Sequence, residues 1–455
     1  VLTTYSWPRT TILTTFIFLL TGFPVAFVLA GVSLIFAYLG IIFDIFDYSY
    51  LLAFPNRVYG IMINQNLLAV PLFIFMGSVL EKTDIAENLL KSMNELYKNS
   101  SSGLGVSVII VGTFMAASTG IVGASVVTLG LLSLPVMLKN GYPSSLACGA
   151  VCASGTLGQI IPPSLVLILL ADVLSAAYQQ AQLNSGIFSP ETITIGDLFA
   201  GAIIPGLLLP ILYILYIKSK DKEIIHNSEN IITTNVDINI FQSILPPIIL
   251  IFLVLGSIIF GIATPSEAAG VGAAGALSIA FIQGKLTKNI LKKTSRETIK
   301  ITSMVFMILL GATLFSLVFR GFGGEVLIHA LLIEIPEDKY ISLLIVLVMM
   351  FFLGFILDFI EIIFIVIPLF GPTLFSLGFD PVWIGILIAM VLQTSFLTPP
   401  FGFSLFYLRG VTPKNISTSE IYKGVYPYIA IQIIVIIIIY FFPGMTTYLP
   451  EVLFN

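Results

Sequence analysis

Two cysteines and two histidines in 455 residues leave little material for redox or metal chemistry. Cys148 and Cys152 lie one helical turn apart inside an apolar segment, where a disulfide is geometrically awkward and a metal pair would lack further ligands. His226 and His329 stand beside no second candidate ligand or base, which argues against an enzyme centre. Charge is scarce too. Only 10% of residues are Asp, Glu, Lys or Arg, the net charge is −4, and the basic residues sit in short loops rather than on one face, so no nucleic acid is expected as a partner. No phosphate loop of the Gly, four residues, Gly-Lys, Ser/Thr kind occurs, which argues against ATP as the energy source.

What the chain has instead is apolar length. Hydrophobic residues make up 57% of it and the mean hydropathy is +1.06. Stretches of about 20 apolar residues recur, the length needed to cross a bilayer, so the chain reads as an all-α polytopic protein of the lipid bilayer. The stretch from Thr11 is read as a span rather than a cleavable signal, because the repeat described next requires it.

Two proline pairs interrupt these runs. GTLGQIIPPS, from Gly155 to Ser164, has a degraded copy in QTSFLTPPFG, from Gln393 to Gly402. Proline lacks an N–H and clashes with the carbonyl four residues earlier. Pro162 and Pro163 therefore release the carbonyls of Gly158 and Gln159, and Pro399 and Pro400 those of Ser395 and Phe396. Freed carbonyls at membrane depth survive only against protein, water or an ion, so two broken helices in corresponding halves point to a transport site. Other landmarks keep the same register. Gly141 precedes Pro162 by 21 residues, as Gly378 precedes Pro399, and Pro24 and Pro265 lie at similar distances upstream, as do Glu87 and Glu325.

Loop charges orient the halves. Segments around Lys82, Lys91 and Lys98, Lys139, Lys218 to Lys222, Lys285 to Lys300, and Arg409 to Lys423 read as cytoplasmic, whereas Asp172 to Asp197 has no Lys or Arg and reads as external. Five crossings in the first half then invert the second. The expected organisation is a first repeat over 1–220, a cytoplasmic linker over 221–243 and an inverted second repeat over 244–455. Arg57, Arg320 and Lys339 fall outside in this scheme.

Residues 104–138 begin and end on one side and are somewhat short for two crossings. Their middle, Ala117 to Ser125, is rich in small residues and hydroxyls. A re-entrant hairpin is expected, with Ser118, Thr119, Gly120, Gly123 and Ser125 at its tip; a pair of close-packed spans is the alternative. The matching segment 341–376 carries Asp358 and Glu361, three apart on one helical face. Carboxylates there are costly and default to function, against which stands a helix-capping role near a hairpin end. Broken helices are expected at 145–171 and 382–408.

The strings ASTGIVGASVVTLG, ASGTLGQIIPPS, GIATPSEAAGVGA, LGFILDFIEI and LTPPFGFSLFYLRGV occur in this order across nearly the whole chain. In combination they resemble the large membrane subunit of the tripartite ATP-independent periplasmic (TRAP) transporters. The resemblance implies an elevator-type secondary transporter of the bacterial inner membrane, driven by Na+. Its implied partners are a small four-span, DctQ-like membrane subunit and a soluble, DctP-like periplasmic binding protein that delivers an organic acid. Carried over by position, Ser118 to Ser125, with Gly155, Thr156, Gly158 and Pro162, form one sodium site. Asp358 with Thr394, Ser395, Thr398 and Pro399 form the other. Ser125, Gln159, Ser164, Glu361 and Thr398 are the implied substrate contacts. The wording DFIEIIFIVIPL is most similar to the branch for mannitol, chloroaromatic or 2-oxo acid uptake. Arg320 and Arg409 are the nearest candidates to meet a carboxylate, with Arg409 placed as an anchor at the membrane edge. The competing function is a sodium-coupled inverted-repeat anion transporter that receives its solute without a binding protein.

Overall fold

Gly141 and Gly378, the landmarks before the two proline pairs, both adopt left-handed backbone, with φ of +78° and +80°. A side chain would be strained there, so glycine lets the preceding helix stop and the chain turn. Their amides return to the carbonyls of Leu138 and Phe375 at 3.2 and 3.0 Å. Pro143 and Pro381 follow at the start of the next helix, where a missing N–H costs nothing. Two positions matched by sequence spacing thus do the same local work.

The computed structural model describes residues 6–83, 100–224, 240–334 and 338–454. Glu87, Lys91, Lys98, His226 and residues 225–239 of the expected linker lie outside them. In the first half the order is α1 (Ser6–Leu19), α2 (Val25–Ile42), α3 (Ser49–Leu52), α4 (Phe54–Ile63), α5 (Gln65–Lys82), α6 (Gly103–Thr119), α7 (Val122–Lys139), α8 (Ser144–Thr156), a 3-10 turn (Leu157–Gln159), α9 (Leu165–Asn184) and α10 (Ile195–Ser219). The second half has α11 (Ile240–Ile259), α12 (Pro265–Ile282), α13 (Lys288–Gly321), α14 (Gly324–His329), a π turn (Ala330–Glu334), α15 (Lys339–Leu353), α16 (Phe359–Ser376), α17 (Pro381–Leu397), α18 (Phe403–Val411), α19 (Thr418–Phe441) and α20 (Gly444–Phe454). No strand occurs among the described residues. Eight of these helices are long and apolar enough to cross a membrane, and a pair bent by 52° at Asn64 makes nine. The chain is therefore an all-α polytopic membrane protein.

That bend has a local cause. Pro55 lies in the first turn of α4, where proline is tolerated. Asn64 then leaves the helical region and its side chain accepts the amide of Asn66 at 2.9 Å, which ends one helix and starts the next.

The described helices gather into two compact units that do not follow the halves of the sequence. One comprises residues 1–67, 169–194 and 300–381, and the other 68–168, 195–299 and 382–455. In the first unit, Trp7 stacks on Phe322 with ring centroids 5.6 Å apart. Gly311 admits the backbone of α2 so closely that a Cβ would lie 2.5 Å from the Ala26 carbonyl. In the second unit, α8 crosses α19 at a glycine on each: a Cβ at Gly149 would meet the Gly424 carbonyl at 2.1 Å, and one at Gly424 the Ser145 carbonyl at 2.0 Å. Small residues are how membrane helices approach this closely without a hydrophobic driving force. Lys82 and Glu297 pair within the same unit, joining two segments that charge counting assigned to one side.

Candidate ion and substrate site

In the second unit, α6 and α7 form a helical hairpin whose turn is Gly120 and Ile121. Gly120 has φ +61°, and a Cβ there would lie 3.1 Å from the amide nitrogen of Leu165, the first residue of α9. At Gly155 a Cβ would lie 2.3 Å from Val126 Cγ2 and 3.1 Å from the Val126 Cα and N. The hairpin turn therefore sits against Leu165, and the early part of α7 against Gly155. That brings Gly120, Ser125, Gly155, Thr156, Gly158, Gln159, Pro162 and Ser164 into one neighbourhood. Ser125 and Thr156 are fully buried in it. Gly123 faces elsewhere, with the Tyr407 ring 2.9 Å from its would-be Cβ. Ser118 and Thr119 end α6, and their side chains lie outside the described part of the structure. Tyr142 fixes the hairpin base: its hydroxyl donates to the Ser101 carbonyl at 2.8 Å and accepts the Gly105 amide at 2.9 Å. Burial pushes this phenol up to about 12, so it stays neutral.

The proline pairs break their helices as expected, and tertiary structure decides where the freed carbonyls go. Ser164 donates its hydroxyl to the Gln159 carbonyl at 2.8 Å. Ser404 donates to the Phe396 carbonyl at 2.8 Å. In each half, then, the carbonyl released by the second proline is taken by a serine beyond it. The Ser395 carbonyl accepts the Thr398 amide at 3.1 Å. Pro162 offers Gly158 no N–H, so that carbonyl alone lacks a described replacement. A carbonyl has two lone pairs, so those already bonded keep a second for a ligand.

The hydroxyls are oriented in a related way. Thr156 donates to the Ala153 carbonyl, Thr394 to that of Met390 and Thr398 to that of Thr394, at 2.9, 2.8 and 2.7 Å. A hydroxyl that gives its proton to its own helix turns its lone pairs outward, where a cation can use them. Ser395 is fully buried and its hydroxyl has no partner among the described residues.

Two further groups stand out. Gln159 and Gln393 are fully buried, and neither the nitrogen nor the oxygen of either amide has a partner among the described residues. A buried unsatisfied polar atom costs about 1–3 kcal/mol, so four in two side chains mark places prepared for something else. Gln159 was expected as a substrate contact. Gln393 was passed over, although a glutamine inside an apolar run was itself a signal.

Asp358 and Glu361 sit in the first unit, whereas Thr394, Ser395, Thr398 and Pro399 belong to the second. Asp358 is the N-cap of α16 and its side chain accepts the Phe359 amide at 2.7 Å. Glu361 reaches back to the Asp358 amide at 3.0 Å. The two carboxylates close a reciprocal capping box, which is the bland use weighed for them. Arg409 donates to the Ile416 carbonyl and so fastens the loop after α18. Arg320 lies on the last turn of α13, with its Nε 3.1 Å from Glu325.

Comparison with known proteins agrees with this geometry. The family profile for the tripartite ATP-independent periplasmic transporter, DctM component, matches residues 12–445. The C4-dicarboxylate TRAP transporter large permease protein DctM of Pseudomonas aeruginosa is 27% identical over 391 residues, which covers 85% of this chain and 87% of that protein. The isethionate TRAP transporter permease protein DctMQ of Oleidesulfovibrio alaskensis is 27% identical over 85% of this chain and 57% of that longer protein. Among solved structures, the YdaH transporter of Alcanivorax borkumensis superposes with a TM-score of 0.64 at 15% identity, covering 87% of this chain and 88% of that one, a likeness of fold. With the profile spanning nearly the whole chain over a membrane fold of broken helices and a helical hairpin, this protein belongs to the DctM family of TRAP transporter large permease subunits.

Proposed function

We infer that this chain is the Na+-coupled permease of a three-part importer in the bacterial inner membrane, moving a small organic acid delivered by a periplasmic binding protein. One observation carries the ion coupling. The hairpin turn at Gly120 seats on the broken helix at Leu165, in a buried neighbourhood that holds carbonyl and hydroxyl oxygens beside the Gln159 amide. Such oxygens at interrupted helices are the ligands transporters use for alkali cations. The ion is cargo here, and its gradient supplies the energy. The orphaned amides of Gln159 and Gln393 supply donors for a carboxylate and acceptors for a hydroxyl or an ion. Support for an organic acid comes from relatives named for C4-dicarboxylates and isethionate. A 2-oxo or hydroxy acid fits the same chemistry. The name DctMQ, on a longer relative of which the match covers 57%, supports a small membrane subunit as the partner of this chain.

Reconstitution tests this directly. The chain is placed in vesicles with its small subunit and the loaded binding protein, and uptake is followed with sodium or choline outside. Uptake is expected to require sodium and all three components, and to ignore ATP. Unchanged uptake in choline overturns the coupling. Transport of free solute by the isolated chain overturns the tripartite reading in favour of a direct sodium-coupled anion transporter.

A further inference from the structure

The first compact unit holds a cavity of about 310 Å³ that the permease site does not use. It is lined by Arg57 from α4, Asp172 and Gln180 from α9, Ser316 and Arg320 from α13, and Phe364 from α16. Its volume lies at the lower end of the range for small-molecule sites. Its donors outnumber its acceptors. Two guanidiniums bring about ten N–H groups between them and no acceptor. The Arg57 guanidinium makes no hydrogen bond or ion pair among the described residues; the charges within its electrostatic reach are Arg320 and Glu325. Arg320 Nε lies 3.1 Å from Glu325 Oε1 but off line, so it is buried without a hydrogen bond. Asp172, the acid in the lining, accepts the side-chain amide of Asn64 at 2.7 Å, and among the described residues it forms no ion pair with either arginine. Two cations of like sign are held in reach of each other with one of them unmatched. That arrangement is costly unless an anion joins it.

We propose that this cavity is a binding site for a small carboxylate, held between Arg57 and Arg320 with its apolar part against Phe364 and the alanines of α9. Arg320 was a candidate for meeting a carboxylate on sequence alone; the structure supplies its companion, Arg57, and the room between them. The site rests on the organic-acid reading of this permease. A planar guanidinium grips a carboxylate by two parallel hydrogen bonds, which a lysine cannot reproduce. The anionic oxygens could also come from a lipid headgroup, so the test has an arm for each source.

The complex of this chain with its small subunit is placed in nanodiscs of phosphatidylcholine alone, and its thermal stability is followed as succinate, succinamide or inorganic phosphate is added, in sodium and in choline buffer. Succinate is expected to stabilise the complex in both buffers and succinamide to do nothing. Arg57→Gln is expected to weaken succinate binding at least tenfold, Arg57→Lys to keep only part of it, and Gly270→Ala, whose added Cβ meets nothing within 4 Å, to leave it unchanged. Nanodiscs with phosphatidylglycerol distinguish the sources: if succinate acts only after this lipid is removed, the headgroup occupies the site in the membrane and the free-carboxylate assignment falls. Succinate stabilisation that survives in both Arg57→Gln and Arg320→Gln overturns the proposal. Because binding is read without transport, loss of sodium-driven uptake with intact succinate binding strikes the permease reading alone, whereas normal uptake with no arginine-dependent binding strikes this one alone.

Discussion

Gly155→Ala asks whether the hairpin and the broken helix make one oxygen cage. The added Cβ falls 2.3 Å from Val126 Cγ2 and 3.1 Å from the Val126 Cα and N. Carbon atoms rest at about 3.5–4.0 Å, so both neighbours must give. The Val126 methyl can swing aside, at about 0.5–1.5 kcal/mol if χ1 leaves its well. The backbone atoms cannot swing, so they retreat by a few tenths of an ångström, and Ser125, next in the chain, retreats with them. Overpacking of this size costs about 1–3 kcal/mol. If the displaced oxygens belong to the ion site, about 1.4 kcal/mol of that cost appears as a tenfold rise in the sodium concentration for half-maximal uptake. The assay is sodium activation of uptake in vesicles holding all three components, at matched protein level. Gly270→Ala is the control, because a Cβ at Gly270 meets nothing within 4 Å. A folded Gly155→Ala protein whose activation curve superposes on that of the unmodified chain refutes the shared cage.

Pro162→Ala restores the amide that Gly158 lacks, and lowers sodium affinity at near-normal protein level. Pro399→Ala does the same more weakly, because the Ser395 carbonyl already accepts the Thr398 amide. Ser125→Ala and Thr398→Val shift the curve in the same direction, and four unchanged activation curves would remove these residues from the ion sites. Ser164→Ala and Ser404→Ala each strand a buried carbonyl and lower stability by about 1–3 kcal/mol in thermal melts of the purified protein; melts equal to the parent's would show that other donors replace the serines. Gly424→Ala drives a Cβ to 2.0 Å from the Ser145 carbonyl, so folded yield from membranes falls well below that of Gly270→Ala, and equal yields would contradict the tight α8–α19 crossing.

The sequence by itself determined the class and the family, because both are carried by local or periodic features. Apolar length makes spans. Gly141 and Gly378 turn because only glycine adopts that backbone without strain, and proline pairs break helices wherever they stand. The grouping of Gly120, Ser125 and Gly155 was legible only through the family resemblance. Tertiary structure decided the rest. Proline chemistry says that a carbonyl is released, but whether it waits for an ion or is met by Ser164 or Ser404 depends on where a hydroxyl arrives after the break. At the level of spacing, Asp358 and Glu361 serve equally as contacts for an ion and a substrate or as a capping box; only the start of α16 at Phe359 settles their present hydrogen bonds. Arg57 and Arg320 stand 263 residues apart in the sequence, each readable alone as a loop charge. Their meeting in one cavity follows from the packing of four helices from both halves of the chain, which no local pattern encodes.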